Sequence, residues 1–500
     1  MPTRRPNLHR LSGLVVDTQT HRMVPIALAL MVLSLGMLAS MSAWAQSDAH
    51  LAATWRATSR LGYGPTPATV QAAQANPQAW ALQQLNTAYA ASQLPPSLPA
   101  EVNRFNQPID DLVKEAKTER EARKDLKQAN ASAALGSSPS FIASMESPVP
   151  YAFSRDMQQT ASAWRLMACS DPALENPLLA RMTEFWFNHL NVFDGKGNVR
   201  PFVGHYAINA IRAHSLGKFE DLLLASAQHP AMLLYLDQAQ SNARGLNENY
   251  ARELMELHTL GVGGGYSQAD VRELARILTG WTVGQQQGEG FKFAPRLHDV
   301  GDKTLLGQTF KAAGQTEGED AIRMLARHPA TAQRIARRLA TTFVADQPPK
   351  ALVDQLAATF SRTQGDIKAV MQALVASPEF WRAGNTLFKT PLDFACSALA
   401  AGGGVKDRRD VVLSLGFLAQ VGQPMHGWQT PDGYKTDAAT WLAPEALTRR
   451  ADYAVALGAR MAEPTYLQPF LSNTTWERIG REAPQTRAGL LLASPDFMRK

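Results

Sequence analysis

The chain has 500 residues, 45% of them apolar and 19% charged, with ten Trp, so it can build a large core and is not a disordered chain. Its formal charge is +6, and Arg4, Arg5, Arg10 and Arg22 against Asp17 place +3 of this before residue 46. The remaining +3 is dispersed over some 450 residues, which excludes the concentrated basic footprint of a nucleic-acid binder.

The early charge belongs to a leader. Arg22 is followed by the apolar run MVPIALALMVLSLGMLAS and then Ala43-Trp44-Ala45, an A-x-A cleavage pattern. This predicts a signal peptide over 1–45, cut after Ala45, and a periplasmic or secreted mature chain. An uncleaved membrane anchor is the competing reading. Arg4-Arg5 loosely resembles a twin-arginine signal, but Pro6 intrudes, so the general secretory route is favoured. No later segment is long and apolar enough to cross a membrane, so no stable span is expected after cleavage. Cys169 and Cys396 are the two cysteines, and either one bridge or two separately buried thiols fits their apolar contexts.

From Leu51 onward the apolar spacing is helical. HLAATWRATSRLGYGPTP stops in a Gly/Pro turn. Residues 109–128 are charge-laced and predict a solvated helix or arm, followed by a flexible linker over 129–140. Helices follow near 160–169, 172–193, 204–213 and 216–227. The interval 282–310 breaks the pattern with glycines and short alternating pieces such as Phe291-Lys292-Phe293, predicting a small β-hairpin or irregular excursion near 285–310. Helices resume at 318–327, 330–344, 349–362, 365–376 and 389–401. The irregular stretch GQPMHGWQTPDGYKTDAATWLAP then precedes a last helical part. The expected fold is mainly α: one large multi-helix domain over 46–500.

Two segments are candidates for chemistry. NENYARELMELHTLG predicts a helix over 247–260 closed by Gly261, with Asn249, Glu253 and Glu256 on one face. The simplest role for its charges is a surface ladder, because Glu248/Arg252 and Arg252/Glu256 are i,i+4 pairs. Ser267 and Asp270 read as a capping box for the next helix. RMTEFWFNHLNVF (181–193) has an apolar stripe of Met182, Trp186, Leu190 and Phe193. It also has a polar stripe of Glu184, Asn188 and Asn191 on a helix apolar enough to be buried. A buried carboxylate needs a partner, and Arg252 or His258 could supply it. Glu184, Glu253, His258 and Arg252 are therefore the candidate catalytic set, weighed against a purely structural network. A metal is disfavoured, since Glu184/His189 and Glu253/His258 are i,i+5 and point about 140° apart. No metal or cofactor is assigned.

His298 and Asp299 in LHDVGDKTLLG, and Trp428 in the late irregular stretch, are candidate substrate-binding residues. Their competing roles are a locally capped turn and an aromatic pin. His229-Pro230 and His328-Pro329 read as helix starts. No Gly-x-Ser-x-Gly elbow, HExxH, P-loop or Cys-x-x-Cys-His is present.

Taken together, SRLGYGPTP, EFWFNHLNVF, the NENYARELMELHTLGVGGGYSQADVRELARILTGWT block, LHDVGDKTLLGQ, HPATAQRIARRLATTFV, LVASPEFW and the closing Gly427, Trp428, Trp441, Pro444, Arg449 pattern resemble a bacterial family catalogued as domain of unknown function 1800. The resemblance covers nearly all of the mature chain. It implies an exported helical protein encoded beside members of a family numbered 1501, which itself resembles the alkaline phosphatase and sulfatase superfamily. It carries no catalytic residues. The expectation is an accessory or binding protein acting with such a co-exported partner on an envelope or extracellular substrate. The alternative is a periplasmic enzyme, such as a metal-dependent hydrolase, with its site between helices 181–193 and 247–260.

Overall fold

The computed structural model describes residues 49–136, 152–382, 384 and 386–500. The predicted cleavage point after Ala45 lies outside them. The chain divides into a unit over Met1–Ala52 and a compact unit over Ala53–Lys500. In the first, residues 49–52 are described and are helical.

The second unit is mainly α, as expected. Its helices start where local chemistry tells them to. His229 and His328 each accept a backbone N–H two residues on, from Ala231 and Ala330, ahead of prolines at the first helical position. Ser267 and Asp270 form the reciprocal capping box. The charged segment is a helix, Ile109–Gly136. Residues 129–136, read as the start of a linker, continue it, because NASAALG holds no helix breaker before its final glycine. Residues 137–140 lie outside the described residues.

The excursion is two antiparallel hairpins rather than one, and it starts earlier than predicted. Trp281–Val283 pairs with Phe291–Phe293, and Lys303–Leu305 pairs with Gln308–Phe310. Trp281 and Leu305 are fully buried and Val283 and Phe310 nearly so, so each hairpin is pinned by two apolar residues.

The larger apolar core runs from Ala57 to Phe380, and a second gathers residues from Phe388 to Met498 around Leu166. Where they adjoin, the helix Phe153–Ser170 meets the helix Pro391–Ala401 and a Cys169–Cys396 disulfide joins them, with Cα atoms 5.6 Å apart. No helix among the described residues is long and apolar enough to cross a membrane.

The signature block departs from the ideal helix assumed for it. It is α-helical only over Asn249–Glu253 and winds as a π-helix over Leu254–Thr259. The Thr259 hydroxyl donates to the Leu254 carbonyl at 2.6 Å, five residues back, supporting the wider turn. Faces assigned at 100° per residue therefore stop applying after Glu253.

Candidate functional site

A cavity of about 450 Å³ opens between the helix Pro177–His189, the helix Pro329–Phe343 and the segments 387–393 and 423–437. Its first wall is the polar stripe singled out above. Glu184, Asn188 and Asn191 all line it, while Met182, Trp186 and Leu190 on the other side are fully buried. The helix ends at His189, so Asn191 projects from the following turn.

The partner of Glu184 is Arg165 on the preceding helix, not Arg252 or His258. Arg165 Nε donates to one carboxylate oxygen at 2.7 Å and a terminal nitrogen donates to the other, a bidentate pair with little exposure. The same guanidinium donates to His426 Nδ1 at 3.2 Å and lies 4.3 Å from the Phe187 ring centroid. An arginine has only donors, so Nδ1 of His426 must accept and the ring proton sits on Nε2. Nε2 is buried and has no partner among the described residues. Burial and Arg165 push the His426 pKa well below its usual value, keeping the ring neutral. His426 also holds a left-handed backbone (φ +58°), a strained conformation for a non-glycine residue.

A second ion cluster closes the cavity floor. Asp393, on the first turn of the helix Pro391–Ala401, is bound by Arg181 and Lys500. Burial works to raise the Asp393 carboxyl, but the two cations override it and hold it far below the usual range. The 423–437 loop is clamped onto the first wall. Asn188 Nδ2 donates to the Tyr434 carbonyl at 2.8 Å, and the Tyr434 N–H donates back to Asn188 Oδ1 at 2.7 Å. Asn191 donates to the carbonyls of Trp428 and Thr430. Gly433 (φ +73°) lies so close that a Cβ there would sit 2.0 Å from the Asn188 carbonyl oxygen.

The remaining sequence candidates lie elsewhere. Arg252 is half-exposed, bonded to Glu248 at 3.3 Å and to Gln268 at 3.0 Å, which is the surface ladder. Glu253 is half-buried outside the cavity wall, its carboxyl raised by burial, Glu256 and Asp432. His258 is buried. Its carbonyl accepts from His189 Nε2 at 3.0 Å, and burial with Arg334 and Arg338 pushes its pKa down to about 3. The helices 177–189 and 249–259 do touch, through this histidine contact, but Glu184 and Glu253 are not brought together. His298 is bonded to the Thr279 carbonyl and to Glu317, and Asp299 is paired with Arg276, so both serve the hairpin region. Trp428 donates to Asp432 at 2.8 Å and packs on Tyr434, bracing the loop without lining the cavity. Among the described residues no three His, Cys, Asp or Glu side chains converge as metal ligands.

The profile of the family described as "Protein of unknown function (DUF1800)" matches residues 56–499. The chain belongs to the DUF1800 family. No curated protein and no solved structure matches the chain. Roles in this DUF1800 chain therefore rest on geometry. Sequence reasoning missed Arg165, His426, Arg181 and Asp393. For Arg165 and Asp393 the one signal was a charge embedded in an apolar run, SAWRLMACS and TPLDFACS; His426 in QPMHGWQT carried none.

Proposed function

We propose that this DUF1800 chain is an exported binding protein that holds a small organic ligand in the 450 Å³ cavity. It acts as an accessory to a co-exported protein of the family numbered 1501, which resembles the phosphatase and sulfatase superfamily, on an envelope or extracellular substrate. The observation that carries the binding reading is a pre-formed wall. Glu184, Asp393, Asn188 and Asn191 are all fixed by charged or two-point hydrogen bonds, as binding sites favour. The same ties argue against acid–base work there. Asp393 is held too far below neutrality to act as a base, and Glu184 is committed to Arg165 on both oxygens. The disulfide and the leader-like N-terminus support export.

Protein exported from its natural host would be analysed by native mass spectrometry beside Thr342→Phe, which puts a ring into the cavity, and the neighbour-encoded protein would be co-expressed for co-purification. The expected result is a bound small molecule in the wild type, lost in the variant, and recovery of the neighbour. A wild type that is always empty overturns the binding reading; failure to recover the neighbour under gentle conditions overturns the accessory role.

A second reading is a periplasmic hydrolase that uses Glu253, a half-buried carboxylate beside Glu256 whose pKa burial raises. Turnover found by substrate screening and abolished in a folded Glu253→Gln would establish it.

A further inference from the structure

The cavity's ion pairs leave three cations over. Arg165 is engaged by Glu184, and Arg181 and Lys500 by Asp393. Arg337 and Arg338 on the helix Pro329–Phe343, and Lys435 on the opposing loop, also line the cavity. None of these three makes a salt bridge or a side-chain hydrogen bond among the described residues. The two other lining carboxylates act on these cations only through space, Asp432 on Arg338 and Asp437 on Lys435, and spend their hydrogen bonds within their own loop. Asp432 accepts from Trp428 and Thr430, and Asp437 caps the helix Ala438–Trp441. Arg338 stands out among the three because it is half-buried, at the cavity wall, with Arg334 on the same helix and the neutral His189 and His258 behind it. A partly desolvated guanidinium with no hydrogen-bond acceptor among the described side chains is open to a ligand oxyanion, which would supply one. Beside them Phe185, Phe388, Met425 and Tyr434 give the cavity an apolar, largely aromatic patch, while Thr341, Thr342, Thr390, Thr436 and Gln423 add neutral polar groups.

We infer that the ligand is an organic oxyanion with an apolar body. Its carboxylate, sulfate-ester or phosphate-ester group sits on the Arg338 fork with Arg337 and Lys435 at its edge, and its body lies against the aromatic wall. This rests on the binding reading above and adds the ligand's charge. The three head groups share the planar or near-planar oxygen pair that a guanidinium grips bidentately, and a neutral or cationic head would leave Arg338 unmet.

The test is calorimetric titration of the full mature chain with phenylacetate, phenyl sulfate, phenyl phosphate, benzyl alcohol and benzylamine. The wild type would be compared with Arg338→Gln, Arg337→Gln/Lys435→Gln and Thr342→Phe, each first shown to be folded by circular dichroism. The expected result is binding of at least one anion, about 10- to 100-fold tighter than benzyl alcohol, no binding of benzylamine, and loss of that margin in Arg338→Gln. The double variant loses less, and its loss shrinks at high salt because those two charges are exposed. Which anion binds tightest identifies the head group. If benzyl alcohol matches the anions, or Arg338→Gln keeps full affinity for them, the oxyanion inference falls while the cavity remains a binding site. If no probe binds and Thr342→Phe leaves the native mass spectrum unchanged, the binding reading falls and takes this inference with it.

Discussion

Lowering the pH from 7 to 5 should destabilise this protein severely, because its core holds histidines that cannot charge in place. His205 is pushed down to about 4 by burial, and His258 to about 3 by burial and by Arg334 and Arg338. Unfolded, each titrates near 6.5. A lowered pKa means the native state binds fewer protons than the unfolded one. The stability contribution is therefore complete above about 6.5 and is lost as pH falls toward the folded value. At about 1.4 kcal/mol per pH unit, each group costs about 2 kcal/mol by pH 5, or about 4 kcal/mol for the two. His189, His229 and His426, all held well below their usual value chiefly by burial, act in the same direction. Against a typical net stability of about 5–15 kcal/mol, this decides whether the fold survives. The carboxyls of Asp194 and Glu253, raised chiefly by burial, oppose the trend. Urea unfolding at pH 7, 6 and 5 measures the effect, and the slope of stability against pH counts the protons taken up. At least two protons are expected at pH 5.5, with the slope reduced by about one in His258→Gln. A midpoint that stays flat from pH 7 to 5, or a slope that His258→Gln leaves untouched, would refute the reasoning.

Replacing both Cys169 and Cys396 by Ser releases a loop closed over a separation of 227 residues, an entropic loss of about 5 kcal/mol. A urea midpoint in the double Ser variant equal to that of the oxidised protein would contradict this. Glu184→Gln strips Arg165 of its buried partner and should cost about 3 kcal/mol by denaturation, whereas Arg252→Gln on the exposed ladder should cost under about 0.5 kcal/mol. Similar losses in the two variants would overturn the assignment of site and surface. Lys389 is buried against Phe497 and Trp55 with no hydrogen-bond partner for its Nζ among the described residues, and burial holds its pKa well below the usual range. It therefore costs stability at every pH below about 10, so Lys389→Met should gain about 1 kcal/mol or more and flatten the rise in stability between pH 7 and 9. A lower melting temperature in that variant would count against the argument.

What could be read in advance was what local chemistry decides. The His-Pro helix starts, the Ser267–Asp270 box and the buried stripe of Met182, Trp186 and Leu190 depend on residues a few positions apart, and each stands as expected. The polar stripe was recognised as needing a partner, but sequence spacing offers no way to rank candidates that only folding brings near. Arg252 and His258 drew notice because ionisable groups crowd that block. Arg165 was passed over in WRLMACS, although it lies on the next helix upstream. The π-helical turn escaped because amphipathic analysis fixes the angle per residue, and one extra residue in a turn moves every later side chain to a new face. Arg338 sits in an arginine-rich helix where a free charge and a paired one read alike. Only the opposite wall distinguishes them.

The bridge between the helices 153–170 and 391–401 also has a consequence for how the molecule is made. With two cysteines there is a single intramolecular pairing, so maturation requires an oxidant but no isomerase to sort wrong bonds. That pairing cannot form until Cys396 has been delivered, long after Cys169 and most of the larger core. Until then Cys169 is a lone thiol in a half-finished chain, open to capture by any other protein maturing beside it. The order of synthesis thus makes the last stretch of the polypeptide the one that commits the rest.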